Sequence, residues 1–397
     1  MAIGQLPKRL LLTAILFAIG SASCSPKASH EDDNLPELPY AQELQEAIDE
    51  VLSAYPDYDL GISAAVLVPG YRLWVGVSGQ SHHGIPITAD TLFNVGSVQK
   101  NFEAALALKL AEDNQLDLDD PISGYLPAYP NVDGRTTIRQ LLNHTSGVFN
   151  VFEHPDFPWV GPDVDYSKEW DEAEVFDAFV LDPYGPPGYA QHYSSTNYLL
   201  LTTIIENVTG STVPDLLESY FLGPFGLENT FVSMGEWPPE RYRVAHPWVD
   251  VDRDGRLEDL HGIPHTWIAS LSHPVMFSTS EDLVRWVHAL FDQGDVISSQ
   301  SLAEMLTIPE TTLSDPEGAS YGLGMVDYSA RLRTRVYGHL GSSLGYSAAA
   351  LYLPDYNASV AWLINTGESP VDLSGFMMFD TWSALSRVIR MNQKTPP

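Results

Sequence analysis

The chain of 397 residues contains a single cysteine, Cys24, so no disulfide can form within it. Basic residues are scarce: 20 Lys+Arg stand against 52 Asp+Glu, giving a formal charge of −32. That imbalance repels phosphate backbones and anionic membrane surfaces, which argues against nucleic acid as a partner. No internal repeat is visible, and His261, His265 and His273 show no metal-ligand spacing. What is present is ordinary for a globular protein. Hydrophobic residues make up 44%, with Gly and Pro at usual levels, enough for a sizeable core in one large domain or two small ones.

The N-terminus carries an address. Lys8 and Arg9 precede the apolar run LLLTAILFAIG and then SASC, ending at Cys24. A basic start, an apolar stretch of roughly ten residues and a small-residue end predict a secretory signal, too short for a stable membrane anchor. A lone cysteine after small residues resembles the lipobox of bacterial lipoproteins, although Ser21 stands where leucine is usual. Cys24 is therefore a candidate lipidation site, with plain cleavage after Ser23 as the alternative. The expected organisation is a signal over 1–24, a polar tether over 25–37 and a folded domain over 38–390. The expected location is outside the cytoplasm, with membrane contact only through a lipid anchor.

Within the domain, an amphipathic helix near Tyr40 to Ala54 is followed by GISAAVLVPG and YRLWVGVSGQ, two strands joined at a Pro-Gly turn. A long helix is predicted from Ser97 to about Glu112, with Phe102, Ala105, Leu106 and Leu110 along its apolar face. The middle alternates helical patterns with Pro-, Asp- and aromatic-rich loops, and HPDFPWVGPDVDYSKEW reads as a lid over a cleft. Ser278 and Glu281 have the spacing of a capping box. VYGHLG, GYSAAALYLP and SVAWLINTG form three further strands, and SGFMMFDTWSALSRVIRMN a closing helix. The predicted class is α+β: an antiparallel sheet built from both ends of the chain, flanked by helices, with a mainly helical insertion at about 115–264.

The chemistry centres on TLFNVGSVQKNF. Ser97 precedes Lys100 by three, so both share a helix face. A serine hydroxyl needs a base to become a nucleophile, and a buried lysine can serve. No other lysine in the chain follows a serine by three. The pair also opens a helix after Gly96, where outward-pointing N–H groups can stabilise an oxyanion.

This helix closely resembles the active-site helix of the serine β-lactamase and D-Ala-D-Ala carboxypeptidase superfamily, nearest to class C β-lactamases and related esterases and D-aminopeptidases. The resemblance continues in order through TIRQLLNHTSGV, PPGYAQHYSSTNYLLL, FLGPFGLENTFV, FSTSEDLVRWVHAL, YGLGM and GHLGSSLGYSAAALYLP, from about Gly61 to Asn365. It implies an acyl-enzyme mechanism on amide, β-lactam or ester bonds, with no cofactor and a small-molecule or peptide substrate. Ser97, Lys100, Tyr193 and His339 become the catalytic candidates. The peptide N–H groups of Ser97 and Ser342 become the oxyanion donors, and Ser195 and Gly341 the substrate-binding positions.

Two departures qualify that reading. The family's Tyr-x-Asn motif falls on Tyr193 and Ser195, so the amide fork of the asparagine is missing; the literal match Tyr129-Pro130-Asn131 sits in a proline-rich turn. The third motif reads His339-Leu340-Gly341, so a carboxylate-gripping hydroxyl is missing. Both favour esters or other amides over β-lactams, and they leave room for a weakly catalytic surface penicillin-binding protein or receptor. His144 reads as a structural loop residue. Finally, DVDRDGRLEDLH resembles a calcium loop through Asp250, Asp252 and Asp254, but His261 occupies position twelve, where a bidentate Glu belongs. An acidic surface turn is the favoured reading there, with no metal required.

Overall fold

The computed structural model describes residues 34–392, apart from 159, 162–163, 234–237, 239–242, 253, 273, 311–319 and 368–372. The leader, Cys24 and His273 lie outside the described residues.

Near-continuous apolar runs, buried on both faces, build the middle of the central sheet. The strands β1 (Gly61–Leu67), β2 (Trp74–His82), β3 (Tyr337–Ser343), β4 (Tyr346–Leu353) and β5 (Ala358–Ile364) pair antiparallel in the order β2-β1-β5-β4-β3. Short strands Ile85–Pro86 on one side, and Val326–Asp327 and Ser320–Tyr321 on the other, extend it to eight. The decisive pairing is β1 with β5, Ile62 opposite Ile364 and Ala65 opposite Ala361, which joins the two ends of the chain as expected.

Because side chains alternate across a strand, the sheet feeds two cores. Ile62, Val66, Val360, Trp362 and Leu351 face one side with Leu44 and Ile48 of α1 (Ala41–Ser53) and Leu385 and Ile389 of α5 (Leu373–Asn392). Ala65, Ala348, Ala350, Ala361 and Leu363 face the other, larger core. There they meet Leu283, Val284 and Trp286 of α4 (Ser280–His288), Phe102 of α2 (Gln99–Glu112) and Leu201 of α3 (Thr196–Thr209).

Helix α2 departs from its sequence pattern in two ways. It does not begin at Ser97: Gly96–Val98 form a 3₁₀ turn and the α-helix starts at Gln99. Nor is it amphipathic in context, because Lys100, Asn101 and Glu103 are buried along with Phe102, Ala105 and Leu106. Its polar groups are satisfied locally. Asn101 Nδ2 donates to Gly324 O at 3.1 Å, and Trp286 Nε1 donates to Asn101 Oδ1 at 2.9 Å. The Phe102 ring stacks on Trp286 with centroids 3.9 Å apart.

The cap of α4 also differs from expectation. Thr279, not Ser278, accepts the N–H of Asp282 at 3.2 Å. Ser278 ends the strand Val275–Ser278 and pairs with Thr230 Oγ1, while Glu281 turns to Arg285.

No helix among the described residues is long and apolar enough to cross a membrane. The Phe102–Trp286 stack joins α2 to α4 in the larger core. Phe102→Ala should therefore lower unfolding stability by about 3–5 kcal/mol, read by urea denaturation.

Candidate active site

The site forms where the entry of α2 meets the edge of β3. An ideal Cβ on Gly341 would lie 2.0 Å from Val95 O and 3.1 Å from Ser97 N. Likewise a Cβ on Gly96, whose φ is +50°, would lie 2.8 Å from Ser342 N. Only glycine permits this approach. It puts Ser97 and Ser342, whose peptide nitrogens are the two expected oxyanion donors, side by side on the lining of one cavity.

Ser97 is half-buried at this junction. Lys100 Nζ donates to its Oγ at 3.1 Å, and Tyr193 Oη donates to the same oxygen at 2.7 Å. Residues far apart in sequence thus converge on one hydroxyl. Lys100 is 7% exposed, with its Nζ 5.3 Å from the Tyr193 ring centroid and 5.4 Å from that of Tyr198.

The remaining candidates fall as follows. Ser195 is buried, lines the cleft and gives its N–H to Asn150 Oδ1 at 3.2 Å. Leu340 lines the cleft and packs with the core around Trp362. The literal Tyr129-Pro130-Asn131 match takes no part, since Tyr129 bonds Glu172 and Asn131 bonds Val180 O.

His339 needs a correction. In sequence it could serve Tyr193 or a substrate carboxylate; in the structure its Nε2 accepts from Tyr321 Oη at 2.7 Å and its Nδ1–H donates to Leu340 O. Burial pushes its pKa down to about 3, so the ring is neutral.

His144 needs the opposite correction, because it is part of the site. It lines the cleft, and its ring lies 4.4 Å from those of both Tyr193 and Tyr321. Nδ1 accepts from Ser194 N and Asn197 Nδ2, both at 3.1 Å, which leaves the ring proton on Nε2. That Nε2 is buried with no hydrogen-bond partner among the described residues. Burial, then the charge of Lys100, holds its pKa well below the usual histidine range.

Tyr321 and Glu103 escaped the sequence reading. Tyr321 begins YGLGM, a segment noted for register and not for chemistry. Glu103, on the same helix as Lys100, is 2% exposed on the cleft wall.

The cavity around Ser97 has a volume of about 1660 Å³. Phe157 and Val160, from the segment read as a lid, line it, as do Trp267 and Leu271.

Asp250 also reaches the cavity and is buried, so the acidic turn is not wholly on the surface. Carboxylate oxygens of Asp250, Asp252 and Asp254 lie within 4.8 Å of one another, and Asp250 accepts the N–H groups of Asp254 and Gly255. His261, at position twelve, stacks on His246 at 3.9 Å, and His246 stacks on His82 at 3.7 Å. This column of imidazoles ties the Asp250 loop to β2.

Fold and site define a serine hydrolase. The β-lactamase family model matches residues 49–375, and the chain belongs to that family. Penicillin-binding protein 4* of Bacillus subtilis is 28% identical over 71% of this chain; the match spans 62% of that relative's length. Among solved structures, D-stereospecific amidohydrolase from Streptomyces sp. is 28% identical with a TM-score of 0.71, covering 83% of this chain and 95% of that one. D-amino acid amidase from Ochrobactrum anthropi SV3, complexed with L-phenylalanine amide, is 26% identical with a TM-score of 0.74, covering 89% and 99%.

The histidine column generates a pH prediction. Burial is the first cause lowering the pKa of both His82 and His261 in the folded state. Their contribution is complete above the unfolded value of 6.5 and is lost as pH falls below it, because the unfolded chain then takes up protons that the folded chain resists. The melting temperature of wild type minus that of a His82→Gln, His261→Gln variant should therefore shrink between about pH 7.5 and 5.

Proposed function

We propose that this protein is an exported hydrolase that cleaves amide bonds of substrates built from D-amino acids through an acyl-enzyme on Ser97. The observation that carries the reading is the Ser97 hydroxyl held by both Lys100 and Tyr193. The substrate class rests on the two amidohydrolase neighbours and on the departures at Ser195 and Leu340, which weaken the fit to β-lactams. Export rests on the leader through Cys24.

The chemistry runs as follows. With its amine uncharged, Lys100 accepts the Ser97 proton, helped by the Tyr193 phenol, as Oγ bonds to the substrate carbonyl. The charge developing on that oxygen meets the peptide N–H groups of Ser97 and Ser342. Collapse breaks the C–N bond. Tyr193 gives the departing amine a proton and recovers one from Lys100. Water then attacks the ester by the same route, and Ser97 regains its proton. Gly341 serves by letting β3 press against the Val95 and Ser97 peptides and not, as expected, by opening space for a substrate backbone, and Ser195 lines the cleft. His339 acts at one remove, by fixing Tyr321.

Ser195 and Leu340 also favour a second reading, a surface penicillin-binding protein that acylates and scarcely turns over. Substrate kinetics separate the two. Under the leading reading, D-phenylalanine amide is turned over at least tenfold faster than its L-enantiomer or nitrocefin.

A fluorophosphonate probe should label wild type at one site and leave Ser97→Ala unlabelled, as read by intact mass. Tyr193→Phe should lower kcat about a hundredfold or more. Equal labelling of wild type and Ser97→Ala would refute the assignment.

A further inference from the structure

Lys100 is enclosed by groups that carry no charge at neutral pH. Burial holds the pKa of His144 well below and that of His339 far below the usual range, and it raises Tyr198 and Tyr321 well above theirs. His192 is turned onto Tyr184, with ring centroids 4.5 Å apart. The other charged residues lining the cavity are Glu103, Glu153, Asp250 and Arg331. Glu153 is held by Tyr184 Oη at 2.7 Å and Asn150 Nδ2 at 3.2 Å, and Asp250 by the N–H groups of its own loop.

Glu103 is different. It lies on α2 one helical turn beyond Lys100, on the wall of the same cavity, and is 2% exposed. Its carboxyl takes a hydrogen bond from Gln99 Nε2 at 2.8 Å, and no lysine or arginine forms an ion pair with it among the described residues. Lys100 and Glu103 are three apart on one helix, where side chains are neighbours, and both line the same cavity, so the charge of each is felt by the other with little screening.

We propose that Glu103 is a positioning residue that sets the charge of Lys100, and with it the pH at which Ser97 can be activated. When ionised, Glu103 favours the ammonium form of Lys100, which cannot take a proton; when protonated or absent, it releases the amine to act as base. Burial first, opposed by the Gln99 hydrogen bond and the charge of Lys100, raises the carboxyl's pKa to about 7. Its ionisation therefore falls where the enzyme would work.

This inference rests on the reading of Lys100 as base. The test is the pH profile of kcat/KM for an ester substrate, whose acid limb reports the base of the free enzyme. In Glu103→Gln the acid limb should move to lower pH by about one unit, while Glu103→Asp should keep it near the wild-type position. Circular dichroism would establish that both variants are folded. An acid limb that stays in place in folded Glu103→Gln, with Ser97 still labelled, would overturn the role of Glu103 and leave the acyl-enzyme reading standing. Loss of labelling at Ser97 in wild type would instead overturn that reading.

A second measurement does not depend on activity. Infrared titration of the Glu103 carboxyl, identified by its loss in Glu103→Gln, should show its midpoint rising in Lys100→Met. An unchanged midpoint would equally overturn the proposal.

Discussion

The structure depends on one close approach, the backbone of β3 at Gly341 pressed against the peptides of Val95 and Ser97. A methyl group on Gly341 would collide with Val95 O, and one on Gly96 with Ser342 O. Through these contacts the sheet fixes where α2 begins. The 3₁₀ turn at Gly96–Val98 follows from it, and so does the placement of Ser97 at the mouth of the cavity. A hydroxyl on an exposed helix face would have neither the tight gap beside it nor a phenol arriving from another element.

The same packing explains the electrostatics. Trp286 covers Phe102, the sheet covers the helix entry, and a lysine and a glutamate are left inside with little water. A buried charge is costly unless it is paired, so neighbouring groups that can give up their charge do so. His144 and His339 remain neutral imidazoles, and Tyr198 and Tyr321 remain neutral phenols. The asymmetry of this shell confers its chemical character. Two donors point at Ser97 Oγ, and the carboxyl of Glu103 is turned to Gln99.

Much of this was legible in the residues, and the failures have physical causes. Ser97 and Lys100 were readable because three-residue spacing on a helix is a local property. Tyr193 was found through register, and the nearer Tyr129 was rightly set aside, since its hydroxyl is committed to Glu172. The α4 cap slipped by one residue because Ser278 and Thr279 both suit a cap, and strand pairing claimed the first. His339 lines the cavity as expected, but its bond to Tyr321 joins two separate strands and no local spacing announces it. His144 was seen and undervalued, because the rings that enclose it come from two distant segments, Tyr193 and Tyr198 on one and Tyr321 on the other.

The sequence alone determined the strands, the principal helices, the α+β class and the three-residue spacing that puts Ser97 and Lys100 on one helical turn. Those follow from periodicity and short-range spacing, which local backbone geometry enforces. Tertiary structure alone decided that Tyr193 reaches Ser97, that Tyr321 holds His339 and that Glu103 is buried beside Lys100. These are contacts between distant segments, and whether a polar group meets water or protein depends on how the whole chain closes around it.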